Sequence, residues 1–253
     1  MINQLRQPIA IFIILLFCKV SVTAQPGVPI KPFLKSAEAV VKIEDSLKKQ
    51  FAALHIAWPA QAMYLRSFKY DKQLEVWVKE SGKAAYKLFK TYKVCQQSGS
   101  MGPKRVEGDY QVPEGFYYIN EFNPNSNYHL SLGLNYPNAS DKILSDHNKP
   151  GSAIYIHGNC VSTGCIPITD APMEELFFLA STVRSQGTEF IPVHVFPIKY
   201  NVPSSALFLE KAMQDNNSLR AHNKNIKTVY DYFESKKNLP IIMVNRVGEY
   251  VLN

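Results

Sequence analysis

Beyond its first two dozen residues, this 253-residue chain has no apolar run long enough to cross a bilayer. That excludes a membrane protein built of several spanning helices. There is no dense Lys/Arg tract and no nucleic-acid-binding module, so nucleic acid is not an expected partner despite a formal net charge of +7. Internal repeats and low-complexity tracts are missing too, which leaves a globular reading. Cysteine is scarce, with four in all. What is present at the start reads as a secretory signal over residues 1–24. Arg6 supplies a positive head, Ile9 to Phe17 an apolar core, and Val22-Thr23-Ala24 a small-residue cleavage site. The apolar run is short for a membrane anchor, and Phe17 is too bulky to precede a lipidated Cys18. The expectation is an exported protein, periplasmic or in the cell envelope, with no stable membrane insertion after cleavage. Its remaining charge of +5 suits either plain solubility or an anionic wall polymer.

Cleavage removes Cys18 and leaves Cys95, Cys160 and Cys165, an odd number. One thiol must stay free, as a nucleophile requires. A Cys95–Cys160 pair would be structural, and a Cys160–Cys165 pair would block chemistry; the spacing leaves both open. The run His157-Gly158-Asn159-Cys160-Val161-Ser162-Thr163-Gly164-Cys165 is the richest segment. It sets a histidine and a cysteine in a glycine-punctuated stretch behind β-branched residues. A thiol attacks as thiolate and needs a base nearby. Eight residues would separate the two by roughly 26 Å on a strand or 12 Å on a helix, so the segment must double back. Gly158 and Gly164 permit such a turn. Zinc ligation by His157, Cys160 and Cys165 is the competing chemistry.

Around this motif the chain resembles the YkuD-type L,D-transpeptidases, in their YafK-like branch. The family pattern of His-Gly, a spacer and Ser/Thr-x-Gly-Cys is met by His157-Gly158 and Ser162-Thr163-Gly164-Cys165. Upstream, Val94-Cys95-Gln96-Gln97-Ser98-Gly99, Gly102-Pro103-Lys104, Glu107-Gly108-Asp109, Pro113-Glu114-Gly115-Phe116-Tyr117, Asn123-Pro124-Asn125-Ser126 and Tyr136-Pro137-Asn138 match in order, so the likeness spans about residues 60–197. It implies Cys165 as nucleophile and His157 as base, oriented by a backbone carbonyl, with Gly158 the candidate. It implies an oxyanion held by N–H groups around Gly164 and Cys165, with Ser162 and Thr163 in support. The implied substrate is a peptidoglycan stem peptide, cut between the L-centre of a diamino acid and a D-residue. A new cross-link or hydrolysis would follow, with wall-attached lipoprotein a further partner and no metal or cofactor. A silent wall-binding module is the alternative on the same scaffold. Two family positions differ here, Thr163 standing before Gly-Cys and Pro167 two residues after the cysteine. Lys104, Arg105 and Lys199 are candidate replacements for binding the substrate carboxylate, against a plain solvated surface charge at each, and Tyr155 is a further candidate substrate contact.

The fold class expected is α+β, mainly β with helices, a YkuD-like β-sandwich or sheet. Residues 25–59 read as a linker and helix, 60–200 as the catalytic domain, and 201–253 as a helical extension with a closing hairpin. Apolar spacing predicts a helix over 36–57, with Val40, Ile43, Leu47, Phe51 and Leu54 on one face. Strands are expected at Met63–Phe68 and Leu74–Val78 around a turn at 70–73, then at Tyr86–Val94, Phe116–Asn120, Tyr128–Leu132, Ala153–His157 and Phe190–Ile198. Gln96–Glu114 and Asn135–Gly151 read as loops, the second a candidate lid. A helix N-capped by Asp170 should end at Gly187. Two further helices are expected near 204–215 and 222–236, with a hairpin over 241–252. His194, set between valines, reads as a core histidine.

Overall fold

In the computed structural model, residues 36–253 are described; the expected signal and the linker up to residue 35 lie outside them. The elements run α1 (Ala37–Ala53), β1 (Ala62–Phe68), β2 (Gln73–Lys79), β3 (Lys87–Lys93), β4 (Gly115–Asn123), β5 (Ser131–Leu134), α2 (Ala139–Leu144), β6 (Tyr155–His157), β7 (Ile166–Pro167), α3 (Asp170–Ser185), β8 (Pro192–Phe196), α4 (Pro203–Met213), α5 (Asn217–Lys236), β9 (Ile242–Val244) and β10 (Tyr250–Leu252). The class is α+β. Eight strands form one mixed sheet in the order β3-β2-β1-β8-β4-β5-β6-β7, and β9 and β10 make a separate ribbon. Among the described residues no helix is long and apolar enough to cross a membrane.

The period-2 pattern of the central strands builds two cores. Met63, Leu65, Leu74, Val76, Val78, Val193 and Val195 point to one face, where Leu47 and Phe51 of α1 and the apolar side of α3 cover them. The alternate residues point the other way. Tyr64, Trp77, Phe68 and Phe196 meet Phe233, Tyr230 and Ile226 of α5 there. His194 lies on this second face, buried, with Nδ1 2.8 Å from the Tyr64 hydroxyl; burial pushes its pKa down to about 3, so it stays neutral.

Charge is buried under α5 as well. Glu75 accepts from Arg66 (2.6 and 3.0 Å) and from the Trp77 indole, and Lys199 reaches its other oxygen at 2.7 Å. Lys199, one of the candidate carboxylate binders, is engaged by this buried glutamate. A second buried pair, Lys69–Glu114 at 3.0 Å, has both side chains fully enclosed. Burial pushes the Glu114 carboxyl up, but Lys69 and His222 outweigh it and hold it at about 2. Glu114→Gln leaves the Lys69 ammonium uncompensated and should cost about 3–5 kcal/mol, read as a lowered urea midpoint. The folded pKa is depressed. The Glu114 contribution is therefore complete above the unfolded carboxyl pKa of about 4.3 and disappears as pH falls through about 2, closing the gap between parent and variant.

Three local expectations need correction. The strand expected at Tyr128–Leu132 starts later: His129 and Leu130 take left-handed φ values of 54° and 58°, and β5 runs from Ser131 to Leu134. The segment read as a possible lid contains α2, closed by an Asn138–Asp141 capping box. Asn138 bonds the Tyr250 hydroxyl and Ser140 bonds the Gly248 carbonyl, so α2 packs on the C-terminal ribbon. Asp170 is not a cap but the first residue of α3, behind Thr169.

Candidate active site

The site forms where the short strands β6 and β7 run side by side at the end of the sheet. They pair in parallel, Ile156 with Ile166 and His157 with Pro167. Cys165 lies one residue before β7, so the same register carried back sets it beside Tyr155. Residues two apart on a strand share a face, which puts the Cys165 thiol and the His157 imidazole on one face of neighbouring strands. Diagonal neighbours of this kind stand roughly 7–8 Å apart at the backbone, within reach of side chains this long. The doubling back that eight intervening residues demand is achieved by a parallel return of the chain.

Each group is fixed by its surroundings. His157 is 2% exposed, and its Nδ1 lies 2.5 Å from the Gly158 carbonyl. A carbonyl only accepts, so Nδ1 carries the proton and Nε2 keeps its lone pair. Burial pulls the imidazole pKa down, with the Gly158 carbonyl opposing. The Cys165 thiol is pushed up by burial, partly offset by the Tyr155 backbone and the Lys104 charge. Both shifts favour the neutral thiol–imidazole pair at rest.

Ser162 braces the loop. Its hydroxyl donates to the Cys165 carbonyl (2.8 Å) and accepts from the Gly164 N–H (3.2 Å). Ser98, 3.1 Å away, must then donate to Ser162, giving the relay Ser98 to Ser162 to Cys165. The Gly164 N–H, expected to face an oxyanion, is thus engaged by Ser162 in the resting enzyme. Thr163 is exposed on the loop. Lys104 is 4% exposed and tied to the Asp109 carboxylate and the Val106 carbonyl, so it lends charge to the thiol from a fixed seat. Arg105 approaches Asp141 at 3.5 Å. Tyr155 donates to Glu121 at 3.0 Å.

Cys95 and Cys160 are joined, which leaves Cys165 as the free cysteine among the described residues. The bridge takes the Cys160 sulfur out of the three-ligand set considered for zinc. It also ties the loop before Cys165 to the segment after β3, where the Cys95 N–H meets the Pro167 carbonyl at 3.0 Å. Closing a loop with a sequence separation of 65 contributes about 4 kcal/mol in a chain-entropy account.

Two further residues act here that the motif does not name. The Tyr128 ring lies 5.0 Å from the His157 ring, tilted by 38°. It is held there by the left-handed residues His129 and Leu130, a conformation that costs about 1–3 kcal/mol per residue and persists only when its surroundings enforce it. Asp170 accepts the Asn159 N–H at 2.6 Å and pins the start of the 158–165 loop to α3. Tyr128 and Asp170 left only an alternating apolar pattern and a cap-like carboxylate in the sequence. Gly158 sits where these meet: a Cβ there would come within 2.5 Å of the His129 carbonyl oxygen and 2.9 Å of that of Tyr128. Gly158→Ala should displace this turn and lower kcat/KM on the order of 10²-fold, since misplacement by about an ångström costs that much. Steady-state kinetics beside a thermal melt would check it.

Residues 69–195, half of the chain, match the YkuD L,D-transpeptidase catalytic domain. The chain is 29% identical over 237 residues to YafK of Escherichia coli strain K12, covering 90% of this chain and 86% of that protein. Among solved structures, the helical cell shape determining protein Pgp2 of Campylobacter jejuni (K307A mutant) is similar at 22% identity and a TM-score of 0.44, over 72% of this chain and 66% of that one. L,D-transpeptidase 1 of Mycobacterium tuberculosis is similar at 16% identity and a TM-score of 0.30, over 53% of this chain and 61% of the other. The family match covers half of the chain, so the chain belongs to the YkuD family of L,D-transpeptidase catalytic domains.

Proposed function

We propose that this protein is an exported cysteine acyltransferase acting on peptidoglycan stem peptides. The observation that supports it most is a free Cys165 set just before the strand that pairs with that of His157, whose Nδ1–H is held by the Gly158 carbonyl. Nε2 takes the thiol proton as sulfur attacks the carbonyl of the diamino acid's L-centre. The tetrahedral intermediate collapses with cleavage of the C–N bond. His157 returns the proton to the departing D-residue amine, and a thioester remains on Cys165. An amine then resolves the thioester to a new cross-link, or water resolves it to a free acid. His157 deprotonates either acceptor. Gly164, Ser162 and Thr163 shape the loop around the reacting carbonyl, Tyr155 lines its approach, and Lys104 lends positive charge from its buried seat. Transpeptidation is the primary reading; hydrolysis of stem peptides or of a lipoprotein attachment shares every step up to the thioester.

The test uses purified residues 25–253 with a diaminopimelate-containing disaccharide tetrapeptide and mass spectrometry of products. Cross-linked dimers are the expected result. Loss of the terminal D-residue without dimers would replace transpeptidation by hydrolysis. Unchanged substrate would contradict the choice of stem peptide.

A further inference from the structure

A cleft of about 570 Å³ opens beside the catalytic loop and contains neither Cys165 nor His157. Tyr70, Lys72, Gln97, Met101, Phe208 and Leu219 are among its walls. We propose that it is a subsite for an N-acetylated amino sugar of the glycan strand that carries the stem peptide. The proposal rests on the acyl-transfer reading above and extends it to the other half of the same substrate.

Four observations point there. The size lies within the range of small-ligand sites. Tyr70 and Phe208 stack with ring centroids 4.0 Å apart and an interplanar angle of 19°, yet remain 40% and 38% exposed. An exposed pair of rings beside amide, hydroxyl and ammonium groups suits a pyranose, whose C–H face packs on π surfaces while its hydroxyls hydrogen-bond at the rim. Gln97, Ser100, Asn216 and Lys72 supply that rim, and among the described residues the Lys72 ammonium meets no carboxylate.

Position is the third observation. One wall of the cleft is the 97–101 segment, and Ser98 within it bonds Ser162, which in turn bonds Cys165. Gln111 links the same two places: its side chain accepts the Ser100 N–H at 2.7 Å, and its carbonyl would lie 3.2 Å from a Cβ placed on Gly164. In a tetrapeptide cut before its terminal residue, three residues separate the sugar from the bond. Fully extended, three residues span on the order of 10 Å, so a glycan site is expected on a surface adjoining the catalytic loop. Fourth, Phe208 and Leu219 come from α4 and α5, beyond the residues 69–195 that match the family domain. The C-terminal helices thereby give this chain a wall that the matched span does not contain.

The experiment compares free tetrapeptide with its disaccharide-linked form, and separately titrates the peptide-free disaccharide of N-acetylglucosamine and N-acetylmuramic acid by ligand-observed NMR. In the parent protein, KM should be on the order of tenfold lower for the linked form, and the free disaccharide should bind. Phe208→Ala and Lys72→Ala should erase both effects while leaving kinetics on the free tetrapeptide unchanged. Phe208 is exposed enough for its loss to spare folding, which a thermal melt records. Equal KM values in the parent, or saccharide binding retained in Phe208→Ala, would overturn the subsite. Saccharide binding without turnover of either peptide would instead contradict the acyl-transfer reading, and absence of saccharide binding would overturn the subsite whatever the turnover.

Discussion

Cys165→Ala is expected to lower stem-peptide acyl transfer by roughly 10⁴-fold or more while leaving the fold intact. The size of the effect follows from the route. No other free thiol exists among the described residues, because Cys95 and Cys160 are bridged. Without sulfur the thioester cannot form, and only the modest help of bound geometry remains. The fold should tolerate the change, since Sγ makes only weak polar contacts, with the Ala153 carbonyl at 3.7 Å and the Tyr155 backbone. Product mass spectrometry and circular dichroism on the same preparation check both halves. Cys165→Ser should fare nearly as badly, because a serine hydroxyl surrenders its proton to imidazole far less readily than a thiol.

His157→Ala should reduce kcat by about 10²–10⁴-fold, the usual contribution of a positioned general base. The pH dependence distinguishes this mechanism from a preformed thiolate–imidazolium pair. Burial depresses the His157 pKa, so the imidazole stays unprotonated, and competent as a base, to lower pH than an ordinary histidine near 6.5. The acid limb of the kcat/KM profile should fall below that value. Burial raises the Cys165 pKa, so in the absence of substrate its alkylation by iodoacetamide should rise only above the ordinary thiol range near 8.5. Rapid alkylation at pH 6 would instead indicate an ion pair.

The parts of the molecule that the sequence made legible are those governed by local pattern. The β1–β2 hairpin follows from alternating residues around Tyr70–Gln73, and Phe68 indeed pairs with Gln73. The α3 stripe Met173, Leu176, Phe177, Ala180 and Val183 is buried as its spacing implies. What escaped depends on distance in space. The parallel pairing of β1 with β8 brings together residues more than a hundred positions apart. Tyr128 sits in an apolar alternation that imitates a strand, and only the tertiary clamp on His129 and Leu130 bends it over His157. Asp170 has the residue type of a helix cap, but the Asn159 N–H claims its carboxylate. Lys199 is one more surface-like lysine until α5 closes over Glu75. The choice between two disulfide pairings is likewise a question of proximity: Cys95 and Cys160 have Cα atoms 5.8 Å apart.

The most direct test of the central claim is to trap the acyl-enzyme. The protein is mixed with disaccharide tetrapeptide, quenched in acid within the first turnovers, digested and mapped by mass spectrometry. The account predicts a hydroxylamine-labile adduct on the peptide containing Cys165, with the mass of the substrate acyl group lacking its terminal D-residue. The same adduct should be absent in Cys165→Ala. Product accumulating with no adduct on Cys165, or with an adduct on another residue, would contradict it.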